Sequence, residues 1–322
     1  MERVARELSA RLVALRPDRY AVARPPAVLA HRAGHAWEQA LALRRARLLY
    51  CPANLGPLAS RRNVVVIHDV AALAHPDWYS AAYARYQRLL LPPLARRARR
   101  VITVSEFARR ELTDTLALDP ADVSVVPNGV DDRFDPAVDA DPVRAAYGLE
   151  RPYVLAVGTL IARKNLGALA VAERQLAEEG IDLVTAGAPR SYMPAQAEAP
   201  GRALGYMPDG DLPALYAGAL ALAMPSLYEG FGLPCLEAMA SGVPVVAADR
   251  AALPETCGDA ALLVDPEDRE AFADAILRAA GGDGPLRERL RHAGLERAKR
   301  FSWQRSAELT DRLIGELLDS GG

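Results

Sequence analysis

The chain has 322 residues, of which 51% are hydrophobic, and this length suits two α/β domains of roughly 150 residues better than a single core. The formal net charge of −2 at pH 7 gives no indication of a nucleic-acid partner, and none is predicted. The charge is unevenly distributed, because residues 1–140 carry 21 Arg against 15 acidic residues, which favours an anionic partner for the first half.

Three cysteines, Cys51, Cys235 and Cys257, lack metal-ligand spacing and favour a reducing compartment. The sequence shows no secretory signal and no apolar run near the ~18 residues that a membrane span requires. We therefore expect a cytoplasmic protein, and a peripheral contact with the inner face of a membrane stays open as an alternative.

The first half predicts a parallel, doubly wound α/β domain. An amphipathic helix begins at Met1 and ends before Pro17, with no strand ahead of it. Helical segments separate several short apolar strands, which is the βαβ alternation of a parallel sheet. The predicted strands are residues 20–23, 48–51, 64–67, 101–104 and 123–126.

Polar residues follow two of these strands. His68 and Asp69 come after the third strand, and Ser105 comes after the fourth. Because ligands of doubly wound sheets bind beyond the carboxyl ends of the strands, we predict a functional site there. A lone histidine in such a place is more often a hydrogen-bonded core residue, and this alternative stays open.

The predicted helix over residues 79–100 combines an apolar centre with many arginines. The Pro92-Pro93 pair is expected to kink or break it. Two interpretations remain open, a solvated helix face or a contact with an anionic membrane or acceptor. The arginines concerned are Arg85, Arg88, Arg96, Arg97, Arg99 and Arg100.

A second α/β domain is predicted over residues 151–302. Residues 139–150 are expected to link it to a first domain of residues 1–138, and a last helix within 303–322 is expected to be capped by Ser302. The predicted strands are residues 153–157, 182–186, 203–205, 219–225, 243–248 and 261–264, and the predicted helices are residues 165–179, 211–218, 267–280, 286–299 and 303–318.

The segment after the strand over 219–225 reads as a glycine turn followed by a helix. Gly230 and Gly232 let backbone N–H groups approach an oxygen-rich ligand, and the helix start offers partial positive charge to a diphosphate. The acceptor oxygens of Glu237 suit ribose hydroxyls, and those of Glu229 suit the hydroxyls of a sugar. Alternatively, Glu237 is a helix-dipole partner and Glu229 a turn residue.

A second strand-to-helix corner carries two adjacent cations. Gly158 and Thr159 end the strand, and Arg163 and Lys164 precede Asn165, which is expected to cap the next helix. Exposed cations at a helix start are unfavourable for the dipole, which indicates a ligand such as a diphosphate. The chain has only two lysines among 39 basic residues, and this favours a functional role for one placed here.

The motif Glu-Gly-Phe-Gly-Leu-Pro-Cys-Leu-Glu at residues 229–237 resembles the E-x7-E motif of retaining glycosyltransferases of family 4, which have the two-domain GT-B fold. Six further segments are similar to that family in order and spacing, so the resemblance covers nearly the whole chain. They are residues 67–69, 101–107, 126–130, 157–165, 204–206 and 242–246. The resemblance implies two Rossmann-like domains facing across a cleft, with the last helix, within 303–322, packing back on the first domain.

The resemblance also implies a donor site for a nucleotide-diphosphate sugar, with GDP-mannose favoured. Arg163 and Lys164 neutralise the diphosphate, Glu237 binds the ribose, and Glu229 binds the sugar. The implied donor residues are completed by Gly158, Thr159, Gly205 and Tyr206 near the base, Gly230, Phe231, Gly232 and Leu233.

On the first domain, the resemblance places His68 opposite the donor sugar, with Asp69 and Ser105 on the acceptor side. The implied catalytic residues are His68, Arg163, Lys164 and Glu229. No metal or other cofactor is implied, because the cations and the helix start neutralise the leaving group. The short sequence Asp139-Ala-Asp141 matches a metal-binding DxD motif only by letter.

The implied activity is retaining transfer of a hexose, with mannose favoured, to a glycan or a lipid-linked acceptor in polysaccharide synthesis. Two features depart from the family pattern. Relatives usually begin with a strand and a glycine-rich loop ahead of the first helix, and many carry an arginine where this chain has Thr159. These departures leave open a shortened, weakly active or non-catalytic protein, and a sugar-nucleotide epimerase on the same architecture is a further alternative.

Overall fold

A computed structural model describes residues 2–24, 39–188 and 199–320. The contacts divide the chain into two compact units. The first contains the described residues up to Asp77, Ala81–Gly129 and the residues from Trp303 onward, and the second contains Trp78–Ser80 and Val130–Ser302. The predicted linker residues lie inside the second unit and include helix α5, Asp141–Ala146.

The first unit is built on a four-stranded parallel sheet, which confirms the predicted parallel class but contains, within the described residues, one strand fewer than the five predicted. The strands are β1 (Leu49–Cys51), β2 (Asn63–Val66), β3 (Arg100–Thr103) and β4 (Val123–Val125), and they lie in that order in the sheet. The helices are α1 (Glu2–Leu15), α2 (Ala71–Ala74), α3 (Ala81–Arg97), α4 (Glu106–Leu116) and α12 (Trp303–Asp319). All four residues of β2 are buried, which is typical of a parallel strand covered on both faces.

A buried carboxylate on α12 ties the two ends of the first unit together. Asp311 accepts hydrogen bonds from the Tyr20 hydroxyl at 2.7 Å and from Nη1 of Arg19 at 3.1 Å, and Nε of Arg16 lies 3.4 Å away. Burial alone would raise the pKa of Asp311, but these donors outweigh it and lower the pKa. The turn that follows α1 is therefore bonded to the last helix.

Two predictions for the first half are wrong. Residues 20–23 form no strand, because the amide of Tyr20 bonds to the carbonyl of Arg16 as part of a turn, while its hydroxyl bonds to the last helix. The prolines at 92 and 93 do not break the predicted helix, since α3 continues through both. A proline inside a helix costs about 3 kcal/mol, whereas α3 buries Leu90, Leu91 and Leu94, each worth about 1.5–3 kcal/mol.

The second unit contains a six-stranded parallel sheet. Its strands are β5 (Tyr153–Val157), β6 (Asp182–Ala186), β7 (Arg202–Gly205), β8 (Ala221–Met224), β9 (Val245–Ala248) and β10 (Ala261–Val264), and their order in the sheet is β10-β9-β8-β5-β6-β7. The chain therefore builds outward from β5 in one direction, then returns to place β8 on its other side. The predicted α/β class with two parallel sheets is confirmed.

Helices pack on this sheet over an apolar core that includes Val154, Leu176, Phe272 and Ile276. After α5, the α-helices are α6 (Ala170–Glu178), α7 (Leu212–Ala217), α8 (Leu233–Ala240), α9 (Leu253–Cys257), α10 (Arg269–Leu277) and α11 (Gly284–Ala298). Two short 3₁₀ turns, Ala162–Lys164 and Leu166–Leu169, precede α6. The predicted helix over 165–179 is thus a 3₁₀ turn followed by a shorter α-helix.

Candidate functional site

The reversal of strand order in the second unit locates a candidate site. Strands β5 and β8 are hydrogen-bonded neighbours, with Val154 opposite Ala221 and Leu155 opposite Leu222. The chain continues from β5 to its neighbour β6 on one side and from β8 to its neighbour β9 on the other side. Such a reversal opens a crevice beyond the carboxyl ends of the two strands. The residues after β5 are those of the Gly158–Lys164 corner, and the residues after β8 lead to Glu229. The sheet topology therefore brings together two motifs that lie 65 residues apart.

At this switch point Lys164 and Glu229 form a buried ion pair. The Nζ atom of Lys164 lies 2.6 Å from Oε1 of Glu229, and the two residues are only 6% and 7% exposed. Arg163 joins the pair, with Nη1 at 3.3 Å from Oε2 of Glu229 and donating to the carbonyl of Tyr228 at 2.9 Å. The expectation of two exposed cations is wrong for Lys164, because the corner folds inward onto this carboxylate.

The charges of Arg163, Lys164 and Glu229, which form this cluster, affect one another. Burial would raise the pKa of Glu229, but the adjacent Lys164 and Arg163 outweigh it and lower the pKa to about 2. Glu229 is therefore ionised at neutral pH, and the three formal charges sum to one positive charge. Such a cluster attracts an anion, since two cations are held in place by one carboxylate.

Local backbone geometry holds the cations of the cluster. The amide of Leu227 donates to the carbonyl of Arg163 at 2.8 Å, which links the two loops. Gly158 has φ +155°, and a Cβ there would lie 2.7 Å from Cε of Lys164, so the glycine makes room for the lysine side chain. Asn165 does not cap the next helix, because it adopts a left-handed conformation at φ 51° and donates its side-chain amide to Pro266.

The glycine turn leads directly into α8. Gly232 has φ +99°, and a Cβ there would lie 2.7 Å from Cδ2 of Leu253, so both conformation and packing require glycine. The hydroxyl of Thr256 donates to the carbonyl of Phe231. The N–H groups of residues 231–233 open the helix, where a helix leaves its first N–H groups without intrahelical acceptors and carries partial positive charge.

Glu237 lies in the second turn of α8 and is 4% exposed. Its Oε2 accepts a hydrogen bond of 2.9 Å from the hydroxyl of Tyr216, a fully buried residue of α7. The sequence gives no signal for this partner, because Tyr216 sits in an apolar helix and lies 21 residues away. The direct pairing of Lys164 with Glu229 was also missed, since the sequence assigned them to different parts of a ligand.

The residues predicted near the base lie at the end of the edge strand β7. Gly205 adopts φ +70°, and its carbonyl accepts from Gly187 at 2.8 Å. The side chain of Tyr206 is 75% exposed. Because β7 is two strands away from β5, the structure shows no direct contact between these residues and the charged cluster. Thr159 is partly buried beside Gly158.

In the first unit, the predicted residues follow the neighbouring strands β2 and β3. His68 is 8% exposed, its Nε2 lies 3.1 Å from the carbonyl of Pro52, and burial lowers its pKa to about 4. Because a carbonyl can only accept, Nε2 carries the proton of a neutral imidazole. Asp69 accepts from the amide of Ala71 at 3.2 Å, and Ser105 caps α4 by accepting from Ala108 at 3.0 Å.

Within residues 2–24, 39–188 and 199–320, no three His, Cys, Asp or Glu side chains cluster in a way that could hold a metal ion. No helix in the same residues is both long and apolar enough to span a membrane.

Two family models match most of the chain. The model described as "Glycosyltransferase Family 4" matches residues 1–134, and the model described as "Glycosyl transferases group 1" matches residues 151–281. A curated relative, the O-antigen chain mannosyltransferase B of Escherichia coli, is 35% identical over 87% of this chain and 77% of its own. The O-antigen chain mannosyltransferase RfbU of Salmonella typhimurium is 28% identical over 67% of this chain and 60% of its own length.

Solved structures share the fold. The Anabaena protein Alr3699/HepE, crystallised in complex with UDP and glucose, superposes with a TM-score of 0.72 at 18% identity, over 96% of this chain and 95% of its own. Sucrose-phosphate synthase from Thermosynechococcus elongatus gives a TM-score of 0.65 at 24% identity, over 80% and 68% of the two chains. The architecture is therefore the GT-B fold of two Rossmann-like units.

We predict that Lys164→Ala lowers the free energy of unfolding by about 3 kcal/mol, because it leaves a buried carboxylate without its closest cation. The double variant Lys164→Met/Glu229→Gln removes both charges and is expected to recover most of that loss. Urea denaturation followed by circular dichroism measures both. The matched control is Lys299→Ala, which removes the exposed lysine and should change stability by less than about 0.5 kcal/mol. Equal losses in Lys164→Ala and Lys299→Ala would contradict the buried pair.

We also predict an acid-dependent loss of stability from His68. Its folded pKa of about 4 lies below the ordinary value of 6.5, so the unfolded chain binds more protons between these values. The contribution of the neutral imidazole is fully present above pH 6.5 and declines as the pH falls toward 4, by up to about 3 kcal/mol. His68→Gln should flatten this part of the stability profile, whereas His292→Gln should leave it unchanged. If stability falls with pH in the same way in the wild type and in His68→Gln, this prediction for His68 is refuted.

Proposed function

The chain belongs to glycosyltransferase family 4, and from this premise we propose that it transfers a hexose with retention from a nucleotide-diphosphate sugar to a glycan or lipid-linked acceptor. The observation that carries the proposal is the buried cluster of Arg163, Lys164 and Glu229, with its net positive charge at the switch point of a doubly wound sheet. Nucleotide ligands bind at such switch points in this class of sheet.

Mannose is the hexose that we propose, with GDP-mannose as donor. Two of the curated relatives are named as O-antigen chain mannosyltransferases, and a third, from Mycolicibacterium hassiacum, is named as an MMP α-(1→4)-mannosyltransferase at 33% identity over 67% of this chain and 54% of its own. These names support mannose as the transferred sugar. They also support a glycan acceptor in polysaccharide synthesis.

In the proposed reaction the bond between C1 of the sugar and the diphosphate oxygen breaks while an acceptor hydroxyl oxygen bonds to C1 from the same face. The hydroxyl proton passes to the departing diphosphate oxygen. Negative charge grows on that leaving group, so cations fixed beside it stabilise the transition state more than the ground state. We assign this role to Arg163, Lys164 and the N–H groups at the start of α8.

The other donor groups have distinct proposed roles. Glu229 holds both cations in place and offers its remaining acceptor capacity to hydroxyls of the sugar. Glu237 accepts from the ribose, and the base lies near Gly205 and Tyr206. Because two side-chain cations and a helix start serve the diphosphate, we propose that the transfer needs no metal ion.

We propose that the first unit supplies the acceptor side. Its polar candidates, His68, Asp69 and Ser105, follow the carboxyl ends of neighbouring strands, which is where ligands of parallel sheets bind. The neutral imidazole of His68 directs its Nε2–H at the Pro52 carbonyl, so its Nδ1 can accept a hydrogen bond from a hydroxyl without adding charge. We assign it to the reacting sugar and the other two to the acceptor.

The α3 surface favours a peripheral membrane contact during this reaction. Arg85, Tyr86, Arg88 and Leu89 are all exposed, and Leu89 is 68% exposed. Residues spaced by three and four positions share one face of a helix, so Arg85 lies beside both Arg88 and the exposed Leu89. Basic residues around apolar ones bind anionic lipid surfaces, and we propose that this face holds the protein near a lipid-linked acceptor.

We predict that the protein incubated with GDP-mannose and a mannose-terminated lipid-linked acceptor forms an α-linked product, with the anomeric configuration read from NMR coupling constants. Excess EDTA should leave the rate unchanged. The Lys164→Met/Glu229→Gln variant should lower kcat/KM by roughly 10²–10³-fold, the scale of losing a preorganised charge contact, while Lys299→Ala remains active. If a panel of nucleotide sugars yields only isomerised donor, the protein is an epimerase, and a β-linked product would contradict retention.

We further predict that the protein co-sediments with vesicles containing phosphatidylglycerol and not with pure phosphatidylcholine vesicles. Arg85→Gln/Arg88→Gln should weaken this binding by about 30-fold, since each arginine near an anionic surface contributes about 1 kcal/mol. The control Arg289→Gln/Arg300→Gln removes the same charge from exposed positions in the second unit and should bind as the wild type does. Equal weakening by both pairs would indicate a non-specific charge effect and refute the α3 contact.

A further inference from the structure

A buried hydroxyl lies behind the carboxylate that we assign to the ribose. We propose that Tyr216 is a positioning residue for Glu237, so that recognition of the ribose hydroxyls depends on a phenol that does not itself contact the ligand. This inference rests on the proposed function, because it concerns the same nucleotide site.

The geometry of the pair fixes the carboxylate on one side. The Tyr216 hydroxyl donates to Oε2 of Glu237 at 2.9 Å, and both residues are buried, at 0% and 4% exposure. A carboxylate accepts hydrogen bonds through two oxygens and about four lone pairs. The bond from the phenol restricts the rotation of the carboxyl plane, and it uses only one of these acceptor positions.

Tyr216 is itself held rigidly. It lies in α7, and its ring packs edge-on against Phe134, with centroids 5.6 Å apart and an interplanar angle of 78°. The guanidinium of Arg133 lies 5.2 Å from the centroid of the Phe134 ring. A fully buried ring in such a stack has little freedom to turn, so the position of its hydroxyl is set by the core and not by solvent.

The glutamate side chain has three rotatable bonds. The backbone of α8 fixes the position of its Cβ atom but not the direction of its carboxylate, so the carboxylate needs a further contact to orient it. Without the phenol, Glu237 is still buried, but its carboxylate loses a donor that orients it. Hydrogen bonds weaken steeply with misalignment. Loss of the hydroxyl should therefore weaken bonds to ribose hydroxyls and leave the contacts of base and diphosphate unchanged.

This consequence gives a readout that general destabilisation does not produce. A nucleotide that lacks a ribose hydroxyl makes no bond there to Glu237, so it should bind equally to the wild type and to a Tyr216 variant. A variant that only loosened the fold would weaken both kinds of nucleotide to the same extent. The ratio of the two affinities therefore isolates the positioning role.

The experiment measures, by isothermal titration calorimetry, the binding of GDP and UDP and of their 2′-deoxy and 3′-deoxy forms. We expect the wild type to prefer at least one ribonucleotide over a deoxy form by about tenfold or more. Tyr216→Phe keeps the ring and removes the hydroxyl. It should weaken the ribonucleotide about tenfold, leave the deoxy forms within twofold, and so abolish most of the preference.

Two variants complete the design. Tyr147→Phe is the matched control, because the Tyr147 hydroxyl also donates to a carboxylate, Asp211, at 2.8 Å in the same unit; it should retain the wild-type preference. In a Glu237→Ala background, Tyr216→Phe should have no further effect on nucleotide binding, since the phenol acts through the carboxylate. Tyr216→Met, which also lacks the hydroxyl, replaces Tyr216→Phe if that variant does not fold.

The outcomes are separable. An unchanged preference in Tyr216→Phe, or an equal loss of affinity for ribonucleotides and deoxynucleotides, overturns the positioning role while the nucleotide site stands. An additional loss in the Glu237→Ala background likewise overturns it. If no nucleoside diphosphate binds the wild type, the proposed function itself fails, and this inference fails with it.

Discussion

The candidate site depends on one interaction, the buried contact between Lys164 and Glu229. Removing both charges from water is costly, and the cost is recovered only when the partners are close and further hydrogen-bonded. Arg163 meets the second oxygen of Glu229 and makes that recovery possible, while it leaves one positive charge in excess. The diphosphate that we propose as the leaving group would meet cations that are already fixed, which is the condition under which electrostatic stabilisation of a leaving group is strongest.

The strand pairing and two glycines of the second unit bring these groups together. Glu229 and Lys164 are 65 residues apart and become neighbours only because β8 pairs with β5. Gly158 is then required by the lysine side chain that lies against it, and Gly232 is required where the turn passes Leu253. Gly232, which the sequence associated with close approach of a ligand, thus has a steric role before any ligand binds.

Local sequence predicts the strands of this chain well, but it does not predict contacts between residues that are distant in sequence. Strands such as 153–157, 182–186 and 261–264 were predicted with the bounds that the structure has, because short apolar runs between turns depend on nearby residues alone. The burial of Lys164 was not predicted, since helix-dipole reasoning treats it as a surface residue. The partner of Glu237 was also invisible, because Tyr216 reaches it through tertiary packing. The prolines of α3 show the same limit, where three buried leucines outweigh a local penalty.

The two units differ in how their polar groups are used. In the first unit, His68, Asp69 and Ser105 bond to backbone atoms of their own unit, and burial keeps the imidazole neutral. These groups hold the strand ends in shape and add no net positive charge near them. In the second unit, Arg163 and Lys164 bond to Glu229 and leave one formal positive charge in excess. In the reaction that we propose, the second unit therefore stabilises the charge, and an acceptor hydroxyl on the first needs only to be oriented, because the departing diphosphate takes its proton.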